Sequence, residues 1–180
     1  FRVGYLGATG PDKGLPYLIA AWGKLAYKDA TLVLAGSGTE NLGPMIRQLA
    51  PAGRFNLMGY VENKEDFFKE IQVYVQPSVC EAFGIEVLEA MARGRYVIAS
   101  DGAGASEVSG VYIVPKRNPD AIAEQVEVLR KQFSEPDEFG PALVERGYAW
   151  ERIEERYLEV FSRHWSRTKV FQPAQMTGHS

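Results

Sequence analysis

Strand-length and helix-length runs alternate along this chain from its first residue, and no other feature limits its possible folds as strongly. FRVGYLG, TLVLAG, FNLMGY, VYVQPS, YVIAS and VYIVP are short and rich in β-branched and aromatic residues, a composition that suits a pleated, buried surface. Between them, GLPYLIAAWGKLA, LGPMIRQLA, EDFFKEI and GIEVLEAMARG carry apolar residues three and four apart, which gives a helix one apolar face. Strands that alternate with helices pair in parallel, so the sequence predicts an α/β fold: an open parallel sheet of about six strands with helices on both faces. After VYIVP the pattern turns helical, with DAIAEQVEVLRKQF, a second short helix and WERIEERYLEVFSRHW. These C-terminal helices are expected to pack at the sheet's edge. No internal repeat or low-complexity linker breaks the series.

The chain's 180 residues suffice for one well-buried domain. A net charge of −3 gives no electrostatic reason to expect nucleic acid or an anionic membrane as a partner. The single cysteine, Cys80, excludes an internal disulfide framework and a multi-cysteine zinc site, and fits a reducing compartment. With no apolar run long enough to span a bilayer and no secretory signal, the expected location is cytoplasmic. The chain has no initiator Met and opens directly on an apolar run, so it is expected to be a piece of a longer polypeptide. At the other end, residues 168–180 carry Pro173 and no clear period and are expected to form a poorly ordered tail, which leaves 1–167 as the folded domain.

Open parallel sheets bind ligands beyond the carboxyl ends of their strands, so the loops to search are GATGPDKG, GSGTEN, GYVENK, PSVCEAFG and SDGAGASE. The first sets Lys13 before a helix, but Gly14 follows where a Walker loop needs Ser or Thr. Lys13 is either a phosphate-binding cation or a solvated lysine in a turn. GSGTEN begins like a dinucleotide fingerprint with Gly36 and Gly38, yet has Asn41 where the third glycine would fall, so a nicotinamide cofactor is not expected. That loop is either a turn a phosphate can approach or a plain tight turn. In the same way, SDGAGASE either offers the Gly102 and Gly104 amides to a ligand or is a flexible turn.

EAFGIEVLE spaces two carboxylates across a strand-to-helix junction. From Gly84 the period is helical, with Ile85, Leu88, Met91 and Ala92 on one apolar stripe, Glu89 on its border, and Glu86 and Arg93 on the outer face. On this reading Glu81 and Glu89 converge on one cleft while Glu86 points away. The plainer alternative is a surface pair of Glu89 with Arg93. A carboxylate accepts hydrogen bonds from two adjacent hydroxyls, which suits ribose or hexose diols. There is no Asp-x-Asp pair, and His164 and His179 lie near the chain's end, so no metal site is expected. Cys80 is expected to be a packed small hydrophobe, and Trp150, Tyr157, Phe161 and Trp165 packing residues of the last helices.

Taken together, GATGPDKG, LVLAGSG, GYVEN, VYVQPSVCEAFGIEVLEAMARG, VIASDGAGASEV, VYIVP and AWERIEERYLEVF resemble the C-terminal domain of family 4 retaining glycosyltransferases. These are enzymes of two Rossmann-like domains, the GT-B fold, and the resemblance covers about residues 1 to 165. Its centre is Glu81 and Glu89 at their seven-residue separation with Phe83-Gly84 between. The resemblance implies a nucleotide-sugar donor and transfer of a hexose with retention, in polysaccharide or glycoconjugate biosynthesis, with no metal or other cofactor. Lys13 and Glu81 would be the catalytic residues, Lys13 on the diphosphate and Glu81 on the hexose. Glu89 would hold the ribose hydroxyls, and the amides at Phe83, Gly84 and Ile85 would face the sugar or distal phosphate. Val61 would lie against the base through its main chain, and Gly36 and Gly38 would line the pocket floor.

The same resemblance implies an N-terminal domain of the same polypeptide as partner, with the acceptor undefined and any membrane-surface association made through that domain. The helix from Trp150 resembles one that crosses back onto it. Without that half, the chain is expected to bind nucleotide weakly and transfer no sugar. Two departures stand out: Ala8 occupies a position where the family usually has arginine, and the segment after Glu107 is shorter than usual. Either another basic group substitutes for the arginine, or donor affinity and turnover fall. A related nucleotide-sugar epimerase or synthase, and a non-catalytic nucleotide-binding or scaffolding module, remain alternative readings.

Overall fold

A computed structural model describes residues 1–25, 27–132 and 136–165. The six predicted strands form β1 (Arg2–Leu6), β2 (Thr31–Ala35), β3 (Phe55–Gly59), β4 (Val73–Gln76), β5 (Tyr96–Ser100) and β6 (Tyr112–Val114). They make one sheet in the order β3-β2-β1-β4-β5-β6, and every neighbouring pair is parallel. The helices are α1 (Leu15–Leu25), α2 (Gly43–Leu49), α3 (Lys64–Glu70), α4 (Ile85–Met91), α5 (Pro119–Gln132), α6 (Phe139–Gly147) and α7 (Trp150–Trp165). This is the Rossmann-like α/β architecture expected from the alternation. No helix among the described residues is long and apolar enough to cross a membrane.

The period of two along each strand sends side chains to two cores. Val73 and Val75 of β4 join Val3, Leu32 and Leu34 beneath α1 and α5, whereas Tyr74 joins Val33, Val97 and the buried residues of α3 and α4. All four residues of β4 are buried, which explains its unbroken apolar reading. On the second face, a side chain at Gly4 would meet Ile71 and Phe67 at 2.7 Å, so glycine there lets α3 lie close on β1.

Strand pairing at the centre positions the site. β1 pairs with β2 along its whole length, from Arg2–Thr31 to Leu6–Ala35, but with β4 only at Val3–Val73 and Gly4–Tyr74. β1 and β4 therefore part toward their carboxyl ends, where the order of strands reverses. The Leu6 carbonyl, left without a ladder partner on that side, lies 3.2 Å from the Tyr74 hydroxyl.

Three local expectations are corrected. The buried face of α4 carries Val87, Leu88, Ala90 and Met91, while Ile85 is 56% exposed and Ala92 is exposed. The first turn of α4 stands beyond the end of the sheet, which leaves Ile85 largely uncovered among the described residues. Cys80 is exposed, because its loop turns the main chain inward to the Asp12 carbonyl. On α7, Trp150, Tyr157 and Phe161 are exposed: α6 packs on α4 and α7 meets α6, leaving a broad apolar stripe of α7 uncovered among the described residues. The expected tail, 168–180, lies outside the described residues, as does His179.

Candidate functional site

Two loops meet where β1 and β4 diverge. Gly14, closing the loop after β1, has φ 72°, and a side chain on it would overlap the Pro77 carbonyl oxygen of the loop after β4. The amides of Val79 and Cys80 both donate to the Asp12 carbonyl, at 2.7 and 3.3 Å. These contacts stitch the loops together and bring Lys13 onto Glu81, with Nζ donating to Oε2 at 2.5 Å. Asp12 lies 3.6 Å from the same ammonium. The hydrogen bond from Lys13 to Glu81 holds the lysine pKa above its ordinary value.

The main chain of Glu81 is fixed from a third loop. Its amide donates to the Gly102 carbonyl at 2.9 Å, and the Gly104 amide donates to the Glu81 carbonyl at 3.1 Å, a short parallel bridge beside Ala103. SDGAGASE thus buttresses the loop of Glu81. Below it runs a buried polar chain. Tyr74 donates to Gln76 Oε1 at 2.5 Å, Gln76 Nε2 to Ser78 Oγ at 2.7 Å, and Ser100 Oγ to the Ser78 carbonyl. Each group in that chain is satisfied, which rigidifies the end of β4. The Tyr5 hydroxyl donates to the Ala8 carbonyl at 2.6 Å. Burial, then the charge of Glu86, pushes the Tyr5 and Tyr74 pKa values up, so both hydroxyls stay protonated donors.

Above this floor lies a cavity of about 370 Å³ lined by Tyr5, Leu6, Gly7, Ala8, Lys13, Gln76, Glu81, Gly84, Ile85 and Glu86. A second, of about 200 Å³, shares Leu6, Gly7, Ala8 and Glu86 and adds Gly36, Ser37, Tyr60, Val61 and Lys64. The shared wall makes them one trough along the carboxyl edge of the sheet. Lys13, Glu81, Gly84 and Ile85 thus come together at one end, and Gly36 and Val61 at the other. Gly38 and Phe83 are outside both linings. Gly38 turns toward Thr9, and Phe83 gives its carbonyl to the Ala105 amide.

The acids fall differently from their helical periodicity. Glu86 faces the trough and belongs to both linings, because side chains in a first turn lean back over the helix start. It has neither a cation nor a hydrogen-bond partner among the described residues. Glu89 lies behind the trough and reaches it through Lys64, whose Nζ donates to its two oxygens at 2.9 and 2.7 Å. The expected surface alternative, Glu89 with Arg93, is not how these side chains pair. Arg93 donates to the Glu89 main-chain carbonyl, binds the Glu65 carboxylate and stacks over Phe68. Lys64 is the residue that periodicity missed. Its signal was its place in GYVENK, the only cation of a strand-to-helix loop already marked for search.

The site therefore offers two cations and several carboxylates around a groove wide enough for an extended ligand. Ammonium groups suit an anion, and carboxylates suit vicinal hydroxyls. Among the described residues there is no group of three or more His, Cys, Asp or Glu placed to hold a metal ion.

A parallel sheet covered on both faces, with a trough at its strand-order reversal, defines a Rossmann-like ligand-binding domain. Residues 1–132 match the family described as Glycosyl transferases group 1, and the chain belongs to that family. It is 32% identical over 174 residues to an uncharacterized glycosyltransferase of Methanocaldococcus jannaschii, covering 87% of this chain and 43% of that protein. It is 30% identical over 184 residues to alpha-maltose-1-phosphate synthase of Mycolicibacterium smegmatis, covering 89% and 47%. The chain spans less than half the length of these two curated relatives. Among solved structures, Anabaena Alr3699/HepE in complex with UDP has a TM-score of 0.81 at 19% identity, over 91% of this chain and 49% of that one, a likeness of fold.

Proposed function

We propose that residues 1–167 are the donor-binding domain of a glycosyltransferase, taking a nucleotide-activated hexose and, joined to an N-terminal acceptor domain, transferring the hexose with retention and without a metal ion. The observation that carries this reading is the Lys13–Glu81 pair, held at 2.5 Å in a cavity at the strand-order reversal. Membership of the glycosyltransferase family supports it, as does the UDP carried by a structural neighbour of the same fold.

In this proposal Lys13 meets the diphosphate. Breaking the anomeric bond leaves both bonding electrons on the leaving oxygen, and a preorganised cation there lowers the barrier by stabilising the charge as it develops. Glu81, beside it, accepts from hexose hydroxyls, with the main chain of Gly84 and Ile85 alongside. Farther along the trough, Gly36 and Val61 take the nucleoside, and Glu89 accepts from the ribose hydroxyls. Acceptor binding belongs to the other domain.

Titration calorimetry with ADP, GDP, UDP and their hexose conjugates tests the reading. At least one should bind saturably, Lys13→Ala should abolish most of that binding, and Glu89→Ala should cost about 1.5–3 kcal/mol. Absence of binding to every ligand of the set would sink the donor-domain reading. Ala8, which brings no charge to the trough, favours a second reading, a nucleotide-binding module without turnover. Nucleotide binding with no transfer, even when the chain is joined to its N-terminal domain, would select it.

A further inference from the structure

We propose that Lys64 and Glu89 form a latch exchanged by the ligand. As the nucleotide enters, Lys64 leaves the Glu89 carboxylate for a phosphate oxygen, and Glu89 is released to accept the ribose hydroxyls. This rests on the nucleotide-binding reading and gives it a residue that the reading does not otherwise use.

The charges of the trough require a second cation. Lys13 is already shared between Glu81 at 2.5 Å and Asp12 at 3.6 Å, and Glu86 faces the trough with no cation of its own among the described residues. A diphosphate entering there meets more negative than positive charge, and one neutralised lysine does not offset it. Lys64 is the other cation of the lining, and it shares the smaller cavity with Ala8, Gly36 and Glu86. No backbone movement is needed to bring it into the trough.

Both latch partners are engaged with each other. The Lys64 ammonium donates to both Glu89 oxygens, at 2.9 and 2.7 Å, so the carboxylate presented to ribose is already occupied. The side chains are 41% and 28% exposed, so an entering ligand can reach both partners of the pair. Opening the pair for a phosphate alone leaves a partly covered carboxylate without its cation, and opening it for a diol alone strands the ammonium. A ligand carrying both groups satisfies both. The latch therefore favours nucleoside diphosphates over either of their halves.

Calorimetry on the chain, using whichever of ADP, GDP and UDP binds best and the matching nucleoside, gives the test. Lys64→Met should weaken the diphosphate about tenfold or more while the nucleoside binds as well as before or better, since Glu89 is then free. Lys64→Arg should restore the diphosphate. Unchanged diphosphate affinity overturns the latch, and so does a parallel fall for diphosphate and nucleoside, the mark of a lysine that merely holds α3 to α4. Should Lys64→Met not fold, Lys64→Gln is read by the same criteria. If none of the three diphosphates binds the unmodified chain, the donor-domain reading falls and the latch with it. If one binds and Lys64→Met matches the unmodified chain, the latch alone falls.

Discussion

At Gly36 the backbone has φ 118°, a region that side chains with a Cβ avoid, and a Cβ would overlap the Gly7 carbonyl oxygen. The two loops of the trough floor approach each other at this point, and both faults would have to be absorbed by moving one of them. Gly36→Ala is expected to cost about 2–4 kcal/mol in urea unfolding and, on the proposed function, to weaken nucleotide binding in step. Gly36 was legible in the sequence because small residues after a strand signal close approach. So were Lys13 and Glu81, since the rule that ligands sit past the strand ends picked out their loops. Lys64 and Glu86 were harder to see. A helical wheel assigns faces as though neighbours lay on one side only, whereas a first turn standing beyond the sheet points several of its positions into the same opening. Which carboxylate finds which cation is a tertiary matter. Glu89 has Arg93 four residues on, yet it pairs with Lys64, on another helix.

Among the elements, α3 governs where Lys64 stands. Phe67 and Phe68 anchor the helix in the second core, and Asn63 caps it, its Oδ1 accepting from the Glu65 amide at 3.0 Å. Asn63→Ala should therefore cost about 1 kcal/mol of stability in thermal or chemical unfolding, as loss of such a cap does, and loosen the first turn that carries Lys64. The strands and helices were all evident from period and composition, since strand–helix alternation and buried β-branched runs reinforce each other. What did not show was rotation. α4 buries Val87 and Ala90 together with Leu88 and Met91, because its neighbours α6 and β5 approach from a direction that its own sequence does not encode.

For the molecule as a whole, the described helices are held very differently. α1 and α5 are clamped in the first core, with Ile19, Trp22, Ile122 and Val126 buried, whereas α7 meets α6 and leaves Leu158 62% and Phe161 65% exposed. Amides of α7 should exchange with solvent hydrogen well before those of α1 and α5 in native-state exchange, because so little burial opposes their opening. Equal protection of all three helices would contradict that. The aromatic residues of α7 read from sequence as core because apolar stripes usually are. The pattern fixes which face is apolar, while the presence of a covering surface depends on what lies beside it.

Glu81 is gripped by its main chain, through the amide and carbonyl it shares with Gly102 and Gly104, while its side chain is tied separately to the Lys13 ammonium. Those two main-chain bonds do not depend on what residue 81 bears. A substitution at 81 changes the group shown to the trough and the partner of Lys13, yet leaves the two main-chain bonds to Gly102 and Gly104 available.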